Sequence, residues 1–191
     1  MFQLRGIPGF PEAETSRDSN NNAQQRGIII HRILQLLTQS MERAHCRNQI
    51  EQQFKSTADT QLLDVCWKEA ELLIDNPQFA YLFDPQKFDK AYNEVPIQFQ
   101  HGRYRMHGII DRLVVNEDAV FIVDYKTAKV VAGSAAEFSP QMSIYYHGVR
   151  QVWPDKSVTA SVLYTHGQTI VDIEPRELDE LVIAGPAEES R

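Results

Sequence analysis

Apolar positions between Ile28 and Leu37 cover most of a helical circumference. They predict a helix from about Arg26 to Ala44 that belongs inside a fold. A second helix is predicted from Asp59 to about Asp75, with Leu62, Leu63, Val65, Cys66, Ala70, Leu72 and Leu73 on its apolar side and Asn76-Pro77 stopping it. The period then changes to two. Glu94–Gln100 alternates like an edge strand that tolerates Pro96. Arg103–Val115 and Ala119–Lys126 read as strands joined by the turn Asn116-Glu117-Asp118, and so as an antiparallel hairpin. Ser139-Pro140 resembles an N-cap with proline at the first helical position, opening a helix to about Gln151. Ser157–Thr165 and Thr169–Ile173 form a further hairpin through His166-Gly167-Gln168, and a short helix, Arg176–Ala184, follows. Residues 1–25, with Pro8, Gly9, Pro11 and a polar run from Ser16, read as an irregular entry segment, and 130–139 reads as a loop.

With 191 residues, 42% of them hydrophobic and 24% charged, the chain fits one globular domain over residues 26–184 with a flexible tail at 185–191. No apolar stretch reaches the length of a membrane span, and the N-terminus lacks a signal-peptide layout, so a cytoplasmic location is expected. Cys46 and Cys66 offer neither a disulfide framework nor a CxxC clip. There is no internal repeat and no phosphate-binding loop. A net charge of −7 argues against a protein that coats nucleic acid, because that mode needs clustered Lys and Arg. A nuclease remains compatible, since Arg26, Arg32, Arg103, Arg105, Arg112, Lys126 and Lys129 can make a local basic surface, their plainer reading being solvated charge.

The candidate chemistry lies in AVFIVDYK, Ala119–Lys126. Side-chain alternation puts Asp124 and Lys126 on one face of that strand. Asp111, among Ile109, Ile110, Leu113 and Val114 of the preceding strand, can approach Asp124 across the hairpin. Like charges held close call for a cation between them, and a hard divalent ion suits carboxylate oxygens. Two rim aspartates beside a solvated lysine is the plainer alternative. His31 faces the side of its helix that carries Ile28 and Leu34, where a satisfied core histidine is the ordinary reading and a metal ligand the sharper one. Gln141 and Tyr145 share one helical face, as a capping glutamine and a core tyrosine would.

Taken together, GIIIH, EVP, GIIDRL, VDYKT and QMSIY resemble, in order and spacing, the RecB-type branch of the PD-(D/E)XK nucleases across about Arg26 to Tyr146. The resemblance is nearest to the C-terminal nuclease domain of AddA/RecB-like helicase–nucleases. It implies an α/β, restriction-endonuclease-like fold in which a central mixed sheet is flanked by helices and the site lies at one edge. It further implies a metal-dependent deoxyribonuclease, an exonuclease acting on single-stranded DNA ends in double-strand-break repair and recombination, with a helicase motor in cis or in trans. On this resemblance His31, Asp111, Asp124 and the backbone carbonyl of Tyr125 are ligands of Mg²⁺ or Mn²⁺, and Lys126 is the catalytic lysine. Gln141, Tyr145, Glu94 and Arg112 are accessory or DNA-binding positions. With two cysteines the chain cannot supply the four thiolates of the iron–sulfur cluster found in some relatives, so no such cluster is expected. A non-catalytic interaction module of the same fold, and a hydrolase of another phosphoester, are the alternatives.

Overall fold

The computed structural model describes residues 13–39, 42–129 and 137–179. In chain order it runs through α1 (Ala13–Leu37), α2 (Arg43–Phe54), α3 (Thr60–Ile74), a 3₁₀ turn (Pro77–Phe79) and α4 (Ala80–Phe83). The strands β1 (Lys90–His101), β2 (Tyr104–Val115) and β3 (Ala119–Lys126) follow, then α5 (Ser139–Val152), β4 (Ser157–Tyr164), β5 (Thr169–Asp172) and α6 (Pro175–Asp179). The five strands form one sheet in the order β1-β2-β3-β4-β5. Its neighbours are antiparallel except β3 and β4, which run parallel. A parallel pair needs a long crossover, and α5 lies within it. This mixed sheet between helices is the α/β architecture expected from the sequence.

Two cores sit on opposite faces of the sheet. Val114, Val123, Tyr125 and Leu163 pack with Ile29, Ile30, Ile33 and Leu34 of α1 and with apolar residues of α2, α3 and α4. Ile110, Leu113, Ile122 and Val162 pack with Met142, Tyr145, Tyr146 and Val149 of α5 and Leu178 of α6. Alternation along β3 explains the division, since odd and even side chains leave a strand on opposite sides.

Several boundaries differ from the sequence reading. The segment expected to be irregular up to residue 25 is helical from Ala13. No Gly or Pro interrupts residues 12–26, and extending an existing helix costs far less than starting one. That helix ends at Leu37, short of Ala44, and a separate α2 buries Cys46, Ile50 and Phe54 at i, i+4 and i+8. Asp59 caps α3, accepting the N–H of Leu62 at 2.7 Å. Ser139 is inside α5 and not its cap; Phe138 is the cap, and the Ser139 hydroxyl donates to Glu177 of α6 at 3.1 Å. Most of the expected 130–139 loop, the continuation of the last helix beyond Asp179 and the tail lie outside the described residues.

One irregularity organises the site. Asn93 pairs with Arg112 and Val95 with Ile110, so Glu94 falls opposite Asp111, and this rung is missing from the ladder. Glu94 has φ of 52°, a conformation rare outside glycine. The strands change sides there. Ala91 of β1 belongs with the α1–α4 core, whereas Val95 and Ile97 pack with the α5 core. In β2, Val114 lies on the first side and Ile110 on the second. Beyond the switch, Gly108 meets α5 so closely that a Cβ there would stand 2.5 Å from Cε1 of Tyr145.

Candidate active site

The β2–β3 ladder ends at Arg112 and Val123. In the same register the next positions are Asp111 and Asp124, at the point where the two strands part. The Tyr125 N–H, which a continued ladder would have used, is donated instead to Asp111 Oδ2 at 2.7 Å. From α1, His31 reaches the same place: Nδ1 is 3.4 Å from Asp111 Oδ1 and Nε2 is 3.1 Å from the Tyr125 carbonyl oxygen. One ligand atom from each of His31, Glu94 and Asp111 lies within 4.8 Å of the others. Asp124 does not join that trio at this spacing, because it turns toward Lys126, whose Nζ is 2.6 Å from Oδ2. The ammonium also sits 4.6 Å from the centre of the Phe138 ring. Glu94, an accessory position in the sequence reading, thus stands nearer His31 and Asp111 than its assignment implied.

Charges in this corner respond to one another. Burial, then Asp111, raises the Asp124 carboxyl above the usual carboxylate range against the pull of Lys126 and His31. Glu94 is also raised, by burial and then by Asp111. Burial alone would lower the His31 imidazole, but the hydrogen bond and charge of Asp111, with Asp124 and the Tyr125 carbonyl, leave it raised. Two acids with raised carboxyls and a histidine drawn toward its cation are the pattern of a site short of positive charge. Asp124 Oδ2 is buried without a well-directed hydrogen bond, despite the nearby ammonium. Oxygen-rich donors with one imidazole fit a hard divalent cation. A cleft of about 370 Å³, lined by Gly27, Ile28, His31, Arg32, Gln35 and Glu94, opens the site to solvent.

The accessory residues divide by burial. Gln141 Nε2 donates to the Tyr145 hydroxyl at 2.7 Å, and Tyr145, only 3% exposed and with its pKa pushed up to about 12 chiefly by burial, packs on the backbone of β2. Its place is to support β2 beside Asp111, which leaves Gln141 the more accessible of the two. Arg112 corrects the sequence reading. It is 2% exposed, donates to the Leu82 carbonyl and to Asn93 Oδ1 at 2.9 Å each, and lies against the rings of Phe83 and Phe88. Those bonds replace solvation and remove it from any DNA-facing surface. Arg26 is likewise engaged: it donates to the Thr127 carbonyl at 2.8 Å and pairs with Glu69, which also accepts from Thr165. This link fixes α1 against the end of β3. Neither Glu69 nor Thr165 carried a signal in the sequence, because their partners are remote along the chain.

Among the described residues no helix is long and apolar enough to cross a membrane. No curated protein shows a significant sequence match to the chain. Among solved structures, the fold is similar to that of an exonuclease candidate from Eubacterium rectale, with 13% identity and a TM-score of 0.52 over 92% of this chain and 82% of that one. A weaker similarity, TM-score 0.29 and 11% identity, links it to VC1899 from Vibrio cholerae over 82% of this chain and 54% of that one. The family model described as the PD-(D/E)XK nuclease superfamily matches residues 1–187, nearly the whole sequence, and the chain belongs to that superfamily.

Proposed function

We propose that the protein is a deoxyribonuclease that requires Mg²⁺ or Mn²⁺, degrades DNA from ends, and serves double-strand-break repair in the cytoplasm as part of, or beside, an AddA/RecB-like helicase–nuclease. The observation that carries this reading is the meeting of His31, Asp111, Asp124 and Lys126 where β2 and β3 part. The similar fold of an exonuclease candidate is in keeping with it. The cation would be held by His31, Asp111, Asp124 and the Tyr125 carbonyl, with Glu94 as a further oxygen donor. When bound, such an ion offsets phosphate charge and eases the ionisation of a water.

The chain supplies the rest. Asp111 binds the Tyr125 N–H and thereby aims the Tyr125 carbonyl toward His31. Lys126, anchored between Asp124 and the Phe138 ring, presents an ammonium that can donate to a phosphate oxygen as negative charge grows on it. Tyr145 stays protonated and keeps β2 in place. Retention of both aspartates and the lysine argues against a non-catalytic module.

The test is incubation of the purified protein with end-labelled linear and with circular DNA, single- and double-stranded, in Mg²⁺, in Mn²⁺ and in EDTA. Degradation of linear substrates in either metal and none in EDTA is expected. Full activity in EDTA, or equal cutting of circles, would overturn the reading.

A further inference from the structure

We infer that the outer half of the β1–β2 hairpin, beyond the Glu94–Asp111 switch, is the surface along which a single nucleic-acid strand lies as it meets the site; this rests on the nuclease reading above.

Residues 95–110 contain no acidic side chain but include His101, Arg103, Arg105 and His107, in a chain of net charge −7. Register and packing divide this ribbon. Val95, Ile97, Phe99 and Ile110 turn toward α5, where Ile97 and Phe99 are the nearest neighbours of Gly148. The rungs between them, Pro96 with Ile109, Gln98 with His107 and Gln100 with Arg105, show the opposite face, and all six side chains are exposed. No helix covers that face among the described residues. It runs without a break into Glu94 and Asp111, and the cleft beside α1 opens where it begins.

The chemistry selects the occupant. Amides, an arginine and a histidine in a row can donate to phosphates, while the exposed Ile109 beside the site offers apolar contact to an unstacked base. A bare two-stranded ribbon can enter a major groove, but this one is backed by α5, so a duplex does not fit around it. From Asp111 to Tyr104 the ribbon is about 23 Å long, room for roughly seven nucleotides at duplex rise and fewer in a stretched strand.

The test uses Arg103→Glu/Arg105→Glu, both exposed turn-end positions, with Arg103→Lys/Arg105→Lys as the charge-conserving control. KM is measured for thymidine oligonucleotides of about four to sixteen nucleotides and for a small chromogenic phosphodiester. The wild type should gain affinity with length. The glutamate variant should lose about tenfold on the longest strand and show a salt slope about 1.4 shallower, with the small substrate cleaved as before and the lysine variant near wild type. An unchanged KM for long strands, or an equal loss on the small substrate, would overturn the assignment. If the wild type cleaves neither substrate, the nuclease reading fails by itself. Anisotropy titration of the longest oligonucleotide then still decides the surface, equal binding by wild type and glutamate variant refuting it.

Discussion

The carboxylate of Asp111 accepts the backbone N–H of Tyr125 at 2.7 Å, in place of a rung of sheet. One side chain therefore holds the strands together and shapes the site, and two substitutions should separate those tasks. Asp111→Ala leaves a buried donor unpaired, a cost of about 1–3 kcal/mol in stability, and removes cleavage. Asp111→Asn keeps an acceptor for Tyr125, so its thermal midpoint should stay near wild type while cleavage is lost. Denaturation curves beside cleavage rates check this, and an active Asp111→Asn protein would refute it.

Lys126→Ala should dissociate metal affinity from rate. Its ammonium competes with any cation for Asp124, from which it stands 2.6 Å away, so calorimetry should show Mg²⁺ bound as well as before or more tightly. Cleavage should fall by about 3–4 kcal/mol in activation free energy, since the donor to the charged transition state is gone. Near-normal cleavage would remove Lys126 from the reaction.

Arg112 and Arg105 differ by burial, and their substitutions should differ in kind. Arg112→Ala breaks two hydrogen bonds from a charged donor and leaves the Leu82 carbonyl without its partner, each such bond contributing about 1.5–3 kcal/mol. Stability should drop while the salt dependence of DNA binding is unchanged. A shallower salt slope in Arg112→Ala would show that the residue reaches phosphate after all.

Gly108→Ala tests the seat of Tyr145. The new methyl would lie 2.5 Å from the ring, and moving that ring or the strand should cost about 1–3 kcal/mol. Tyr145→Phe in the same background should lose the bonds of the hydroxyl to Gln141 and to the Ile109 backbone while keeping the ring. Chemical denaturation of the single and double variants measures both.

Cys66 gives a pH signature. It is fully buried, and burial pushes its thiol up to about 11 from 9.0. The unfolded chain ionises at the lower value and the folded chain does not, so stability should be complete below pH 9 and decline as pH rises toward 11. Cys66→Ala should flatten that part of the profile. Alkylation of the native protein at neutral pH should be slow.

The sequence made the hairpin, the edge strand with Pro96 and the carboxylate–lysine strand legible because each is written in local periodicity and turn chemistry. The polar first half of α1 and the whole of α2 were not, since a polar helix is held by what it packs on and by continuation of a neighbouring turn. Within the site, His31 and Asp111 were visible as polar residues in apolar runs. Glu94 was harder to place, because its position depends on a positive φ that no periodicity reports. Arg112 was misjudged for the converse reason: an arginine in a strand looks like surface until Leu82, Asn93, Phe83 and Phe88 are seen around it.

The change of sides at Glu94 and Asp111 means that β1 and β2 each belong to both halves of the molecule. Cooperative units of a fold open with free energies of their own. His31 rides on one half, while Tyr145 and the outer hairpin ride on the other. The assembled cluster exists only while both halves are closed, so its lifetime is expected to be set by whichever opens first, and an amide-exchange experiment should find two blocks of protection that meet at this pair of acids.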